Sequence, residues 1–237
     1  MTKGEAKTLI RFLVGRGDFE PLLLDYFLDL GRRELESKDN FYYMRALKEF
    51  NLTINQGEYT ISTSPMSISD FKMVRYVLWK DSTLFEYRLI PPYEINILDT
   101  NYATNGTGAP EAYNLDDQTF RLYPVDPDKA YNMRFYYWKW TANPTNDTST
   151  DEVLTRWPEA LINASVARAI LVLTRDAGQA KPWFDLYEME KNKMREYDRL
   201  RSSEGELHLM PSLVPTTRII MPRQVNQPGQ ISRWSSY

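Results

Sequence analysis

The sequence predicts an α+β protein in which a helical bundle carries an inserted antiparallel β domain and ends in an extended C-terminal arm. Three observations predict this class. Apolar residues recur with helical spacing near both ends of the body, the period changes to two over residues 51–140, and prolines interrupt the last segment. The predicted divisions are the two halves of the bundle, 1–50 and 141–204, the β domain, 51–140, and the arm, 205–237.

The most helix-like stretch, residues 157–176, is predicted to lie at the centre of the bundle. Small and apolar residues follow a 3.6-residue period there and leave few polar positions. A second helix, expected over 182–201, should pack against it as an antiparallel hairpin. The predicted bundle core is formed by Trp157, Ala160, Leu161, Ala164, Leu171, Trp183 and Tyr187.

Local signals place the ends of these helices. Several polar residues up to Asp151 are possible N-caps. Pro158 is tolerated only in a first turn, so the central helix should start near residue 157, with 153–155 forming a separate turn. Gly178 is expected to end this helix in a left-handed conformation, and Pro182 to open the next one.

Three helices are expected before the β domain, over residues 3–14, 19–37 and 39–50. The tripeptide Arg16-Gly17-Asp18 matches an integrin-binding motif. The same residues also form a glycine turn with Asp18 as an N-cap, and this structural interpretation is favoured.

The β domain is expected to consist of short strands and turns. Leu52 and Ile54 should pair with Tyr59 and Ile61 across a turn, and strands 71–79 and 84–89 should form a hairpin turning at residues 80–81. A short helix is expected over 91–99, followed by a loop, 101–109, that is too polar to pack. Strands 120–123 and 131–138 should then be joined by a turn at 126–128.

The last segment has an unusual composition. No acidic residue follows Glu206, while three arginines remain, so residues 207–237 carry +3 and, with −3 for the whole chain, residues 1–206 sum to −6. Prolines alternate with scattered apolar residues, which is typical of a segment that docks on another chain. The residues predicted to dock on another chain are Leu213, Arg218, Ile219, Ile220, Met221, Arg223 and Trp234.

Composition argues against several kinds of active site. The chain has no cysteine and one histidine, His208, so thiol catalysis and multi-histidine metal sites are excluded. The adjacent carboxylates Asp116-Asp117 and Asp151-Glu152 lie where turns or helix caps already favour them. We therefore expect no catalysis, no cofactor and no metal.

Bulk properties also limit the partners. A net charge of −3 argues against a nucleic-acid-binding surface as the main function, and no apolar run is long enough to span a bilayer.

Sixteen tyrosines stand out. They indicate either an interface rich in aromatic residues or strands that use tyrosine for its β propensity.

Four short motifs carry a family resemblance. They are Gly-Ala-Pro-Glu-Ala-Tyr at 108–113, Phe-Arg-Leu-Tyr-Pro at 120–124 with Pro127, Tyr-Tyr-Trp at 136–138, and Trp-Pro-Glu-Ala-Leu at 157–161. In this order and spacing, over roughly residues 5–200, the chain resembles the head-to-tail adaptor (connector) proteins of short-tailed bacteriophages.

The resemblance implies a structural virion protein without catalysis. Such adaptors form a ring of about twelve copies beneath the portal, extend the DNA channel, and anchor the tail nozzle and fibres. Genomic DNA would pass without specific binding, and the protein would reside in the virion neck after assembly in the host bacterial cytoplasm. Two alternatives remain: a tail-fibre or carbohydrate-binding module that uses the tyrosine-rich sheet, and a hydrolase that uses a carboxylate such as Asp116.

Overall fold

The computed structural model describes residues 1–15, 19–80, 87–92, 106–124 and 126–213, with side chains described to residue 201. Its described helices are α1 (Lys3–Val14), α2 (Pro21–Ser37), α3 (Glu152–Arg156), α4 (Pro158–Thr174) and α5 (Ala177–Leu213), with a 3-10 turn at Tyr42–Met44. Its described strands are β1 (Arg45–Asn51), β2 (Glu58–Thr60), β3 (Phe71–Lys80), β4 (Arg88–Ile90), β5 (Thr107–Gly108), β6 (Ala112–Asp116), β7 (Thr119–Tyr123), β8 (Asp126–Pro127) and β9 (Asn132–Lys139). This combination of helices and antiparallel sheets confirms the predicted α+β class.

The strands form two antiparallel sheets and one parallel pair. The larger sheet has the order β1-β9-β3-β4, the smaller has the order β2-β7-β6, and β5 pairs with β8. One buried apolar cluster is built from the helices and a second from the strands. In sequence, the strands are inserted between α2 and α3, so the two halves of the helical cluster flank the β part of the chain.

The first helix confirms the prediction for residues 3–14. Thr2 and Glu5 form a reciprocal capping box at its start, and Gly15 ends it with φ 73°. Its buried side includes Ala6 and Ile10, whereas Phe12 is 79 % exposed. The second helix starts at Pro21, where a missing backbone N–H has no cost; the tripeptide at 16–18 lies outside the described residues.

The predicted break before the central helix is also present. The Asp151 carboxylate accepts a hydrogen bond from Leu154 N at 2.8 Å and so caps the short helix α3. Trp157 then interrupts the helical conformation with φ −131° and ψ 43°, and Pro158 opens α4.

The far end of the central helix differs from the prediction. Arg175, with φ 54°, takes the left-handed position, and its N–H donates to Leu171 O at 3.0 Å. Gly178 instead lies in the first turn of α5, where Asp176 Oδ1 accepts its N–H at 2.8 Å. Because Asp176 caps this turn, α5 begins at Ala177 rather than at Pro182.

The helix predicted over residues 39–50 is wrong. After the 3-10 turn the chain enters β1, which pairs with β9 in antiparallel register from Arg45↔Trp138 to Asn51↔Asn132. The apolar positions that suggested a helix, such as Ala46, Leu47 and Phe50, lie on both faces of this strand. Ladder hydrogen bonds to β9 and burial of Phe50 therefore outweigh the local pattern.

The hairpin predicted between Leu52 and Ile61 is also wrong. Tyr59 pairs with Phe120 in β7, and Leu52 N donates to Tyr131 O at 2.9 Å. The two segments therefore belong to different parts of the β structure, although the Tyr59 hydroxyl does accept a hydrogen bond from Thr53 N at 2.9 Å.

The hairpin of β3 and β4 is confirmed by the pairs Val77↔Ile90 and Trp79↔Arg88. Most of its connection and most of the short helix predicted over 91–99 lie outside the described residues. In the segment predicted to be an unpacked loop, Thr107 and Gly108 pair with β8, and Ala109 packs against the β core. That part of the loop prediction is wrong.

Strands β7 and β9 occur where they were predicted but lie in different sheets. β7 pairs with β2 and with β6, a strand that sequence analysis did not assign, whereas β9 lies between β1 and β3. The connection between them contains β8 in addition to a turn.

In the helical part, α4 packs along α2, and Gly31 lies against Ser165. α5 runs antiparallel to α4, because Trp157 contacts Tyr197 whereas Arg168 lies over Phe184. Residues Met1–Asp198 form one compact unit.

Candidate interaction surfaces

The four-stranded sheet presents two chemically different faces. Along β9, Met133, Phe135 and Tyr137 are buried in the β core, so the alternate residues Arg134 and Tyr136 point to the opposite side. We call that side the outer face. It comprises Arg45, Leu47, Glu49, Met73, Arg75, Tyr76, Leu78, Lys80, Tyr87, Leu89, Arg134, Tyr136 and Trp138.

Aromatic rings and cations alternate across the outer face. The rings of Tyr76 and Tyr136 stack with their centroids 4.4 Å apart. The Arg75 guanidinium lies 4.8 Å from the Trp138 ring centroid, and that of Arg134 lies 4.0 Å from the Tyr87 ring centroid. These contacts hold long cationic side chains flat against the sheet, which lowers the entropy that a partner would have to remove.

Hydrophobic side chains are also exposed on the outer face. Leu47 is 46 % exposed, Met73 47 % and Leu89 60 %. Tyrosine, tryptophan, methionine and arginine are the residue types enriched in protein interfaces. The outer face therefore has the composition of a protein-docking surface.

The charge of the outer face is positive although the chain is acidic overall. Arg45, Arg75, Lys80 and Arg134 contribute four cations, and Glu49 contributes one anion, which pairs with Arg134 at 2.6 Å. This surface favours a partner that carries carboxylates.

A second candidate surface lies at the N-terminal half of α2. A cleft of about 710 Å³ is lined by Phe19, Glu20, Leu22, Leu23, Asp25, Tyr26, Asp29 and Leu173. We call it the α2 cleft. Its charged lining residues are all acidic, and Leu22 and Tyr26 are 77 % and 51 % exposed. Burial disfavours the charged form of Asp25, but hydrogen bonds from Lys3 and Lys7 outweigh this effect and lower the pKa of its carboxyl group.

A buried polar junction joins α2 to the segment that returns from β9. The Arg32 guanidinium donates to Asn143 Oδ1 at 2.7 Å, to Thr141 Oγ1 at 2.9 Å and to Asp151 Oδ2 at 2.5 Å. Glu36 accepts from Thr141 N at 3.0 Å. Burial raises the pKa of Glu36, and the hydrogen bonds from Thr141 oppose that rise.

A half-buried lysine joins the same helix to the larger sheet. Lys72 of β3 donates its Nζ protons to the Glu36 carbonyl and to the Asp39 carbonyl, the latter at 2.7 Å. A cation is favourable at the C-terminal end of a helix, where backbone carbonyls are unpaired. Burial lowers the pKa of Lys72. Together with the Arg32 junction, this contact fixes the β strands to the bundle.

The paired carboxylates have structural roles. Asp151 caps α3 and binds Arg32, and its neighbour Glu152 lies 3.7 Å from Arg156 one turn later. Asp116 ends β6, and Asp117 occupies the tight turn to β7 with φ 50°. Within the described ranges no group of three acidic, histidine or cysteine residues could hold a metal ion, and none of the described helices is long and apolar enough to cross a membrane.

The predicted bundle-core residues fall into two groups. Ala160, Leu161, Ala164 and Tyr187 are buried, whereas Trp157 and Trp183 are partly buried against the same cluster, and Leu171 is half-buried. Of the predicted docking-arm residues, Leu213 ends α5. Arg218, Ile219, Ile220, Met221, Arg223 and Trp234 lie outside the described residues.

Neither the arginines of the outer face nor the α2 cleft is predicted from the sequence. The available signal was the alternation of Arg134, Tyr136 and Trp138 with buried residues in β9. That alternation shows that one face is polar and aromatic, but it does not show which strands lie beside it.

Comparison with known proteins gives one family. The family model described as SU10 adaptor protein matches residues 1–208. No curated protein matches the chain.

Proposed function

Because the chain belongs to the SU10 adaptor protein family and is thus a structural adaptor at the bacteriophage head–tail junction, we propose that it forms a ring of about twelve copies beneath the portal. The ring extends the DNA channel of a short-tailed phage and anchors the tail nozzle and fibres. It assembles in the host bacterial cytoplasm and acts without catalysis or a cofactor. The observation that carries this proposal is the family match over residues 1–208.

The described structure supports a mechanical role. Helical and β cores are joined by contacts of the buried residues Arg32 and Glu36 and of half-buried Lys72. A ring that transmits force between a capsid and a tail needs subunits that do not bend internally, and buried, fully connected polar networks make a fold rigid. The junction provides that rigidity.

Charge supports the passage of DNA without specific binding. Residues 1–206 sum to −6, and negative charge repels a phosphate backbone at short range. The positive outer face is the local exception, and its alternating aromatic residues fit a protein partner.

We propose that the arm docks on the portal or on a neighbouring copy. Three arginines and no acidic residues follow Glu206, so the arm complements acidic surfaces. Ordering a segment costs about 1 to 2 kcal/mol per residue, and the apolar residues at 219–221 would offset this cost on docking.

The test is to mix the protein with purified portal protein and to measure particle mass and negative-stain images, with each component alone as a control. Rings stacked on the portal are expected. A protein of 27.9 kDa that ignores the portal would overturn the proposal, and binding to a glycan array would then favour a carbohydrate-binding module.

A truncation tests the arm separately. A chain that ends at Gly205 keeps every residue of the two described cores and should fold normally. It is expected to lose attachment to the portal. Normal attachment of this shortened chain would overturn the role of the arm and leave the ring proposal intact.

A further inference from the structure

A ring requires each subunit to carry two different surfaces that complement each other. Head-to-tail contact between copies joins one patch on the first subunit to an unlike patch on the second. The described residues present two unlike surfaces that meet this requirement, the outer face of the sheet and the α2 cleft.

The two surfaces are complementary in charge. The outer face has four cations and one anion, whereas the charged residues that line the α2 cleft are Glu20, Asp25 and Asp29. Because Lys3 and Lys7 pair with Asp25, Glu20 and Asp29 supply the negative charge of the cleft. Opposite potentials favour encounter and oppose wrong pairings such as outer face with outer face.

They are also complementary in apolar character. Leu47, Met73 and Leu89 are exposed on the outer face, and Leu22 and Tyr26 are exposed at the cleft. A cleft can receive side chains that project from a flat sheet, and burying such groups on both sides supplies the apolar core of an interface.

The two surfaces are built from different elements of the fold. The cleft lines the first half of α2, whereas the sheet is fixed at the other end of α2, where Lys72 binds the Glu36 carbonyl. From Tyr26 to Glu36 the helix rises about 15 Å. Leu78, which pairs with Leu89, lies about 20 Å along β3 from Lys72.

We infer that the outer face of each copy docks into the α2 cleft of the next copy around the ring. This inference rests on the proposed function, and it names the contact that closes the ring. Arg134 and its neighbouring cations face the carboxylates of Glu20 and Asp29, and Leu89 lies against Leu22 of the adjacent subunit.

Charge reversal in separate chains gives the first test. Arg134→Glu alters the outer face and Glu20→Arg alters the cleft, so residues 134 and 20 carry like charges at every contact in a ring of either variant. In an equimolar mixture, alternating copies restore opposite charges at every contact. We expect neither variant to form rings on the portal alone and the mixture to form them.

Cysteine trapping gives a second test that does not depend on how charge reversal affects folding. The chain has no cysteine, so Leu22→Cys and Leu89→Cys introduce single thiols. When the two variants are mixed under ring-forming conditions and mildly oxidised, a disulfide-linked dimer should form. Lys181→Cys, which places the thiol at an exposed position on α5, replaces Leu22→Cys in the control and should give little cross-linked product.

The outcomes separate the two proposals. If each charge variant alone still forms rings on the portal, the inferred contact is overturned while the adaptor ring stands. The same holds if Leu89→Cys chains link only to one another. A wild-type chain that forms no ring with portal present would overturn both.

Discussion

Gly31 of α2 lies directly against the backbone of Ser165 in α4. A Cβ atom at position 31 would overlap Ser165 Oγ and would lie 2.8 Å from Ser165 N and 3.0 Å from its Cα. Ser165 is fully buried, and its hydroxyl donates to Leu161 O at 2.7 Å. The absence of a side chain at residue 31 therefore sets how closely the two helices pack.

Gly31→Ala should destabilise the protein. Alanine is favoured over glycine in a helix by about 1 kcal/mol, but forcing two helices apart costs about 1–3 kcal/mol or more. We expect a net loss of about 2 kcal/mol, measured by urea denaturation. Gly178→Ala is the matched control, because the added Cβ would meet only the Asp176 side chain at 3.1 Å. Equal stability of the two variants would show that the helices can separate without cost.

Arg32→Met should cost about 3–5 kcal/mol, because it leaves the buried carboxylate of Glu36 and that of Asp151 without their cation. The free energy of unfolding should fall with an unchanged denaturant slope. Arg33→Met alters an exposed neighbour on the same helix and should change stability by no more than about 0.5 kcal/mol. A loss below about 1 kcal/mol for Arg32→Met would show that the buried junction contributes little.

Asp39 should make stability depend on pH in the acidic range. Burial disfavours its charge, but hydrogen bonds from Arg195 and Lys191 outweigh this effect and lower the pKa of Asp39 to about 2. Because its pKa is lowered in the folded state, charged Asp39 stabilises the protein at pH values above about 4, the ordinary aspartate pKa. That stabilisation is lost as pH falls through about 2.

The measurement compares wild type with Asp39→Asn between about pH 6 and pH 2. The difference in unfolding free energy should be on the order of 2 kcal/mol near pH 6 and should shrink as pH falls. A difference that stays constant over this range would show that Asp39 is not held by Lys191 and Arg195 as a charged pair.

Trp157→Ala should cost about 3 kcal/mol. The Trp157 ring packs against the helical core and meets the Tyr197 ring edge-on at 5.6 Å. Trp140→Ala is the control, because Trp140 is 40 % exposed and contacts Lys72 through its ring face. A loss below about 1 kcal/mol for Trp157→Ala would indicate that this tryptophan serves a partner rather than the core.

Local chemistry made the starts of α3 and α4 predictable. Pro158 and Asp151 could be interpreted from sequence because a proline in the first turn and a carboxylate at an N-cap act on their own neighbours. The end of α4 was not predictable in this way. Arg175 adopts a left-handed conformation that glycine usually takes, and no local residue type signals this choice.

In the β1 segment the local pattern predicts the wrong structure. Tyr43, Ala46, Leu47 and Phe50 are spaced like one face of a helix, yet the chain forms a strand from Arg45. The partner that decides this is β9, more than eighty residues away in sequence for the pair Asn51↔Asn132. A strand requires a neighbour to satisfy its backbone groups, and the sequence of the strand does not identify that neighbour.

Sequence by itself determined the α+β class, most of the helices, the β3–β4 hairpin and the lack of cysteine, because these depend on residue type or short-range order. Only the tertiary structure decided that β7 and β9 lie in different sheets, that Gly31 touches Ser165, and that Arg32 is buried among carboxylates. It also decided that Arg134, Tyr136 and Leu89 share one exposed surface. These relationships join residues far apart in the chain, and the packing of several elements at once selects them.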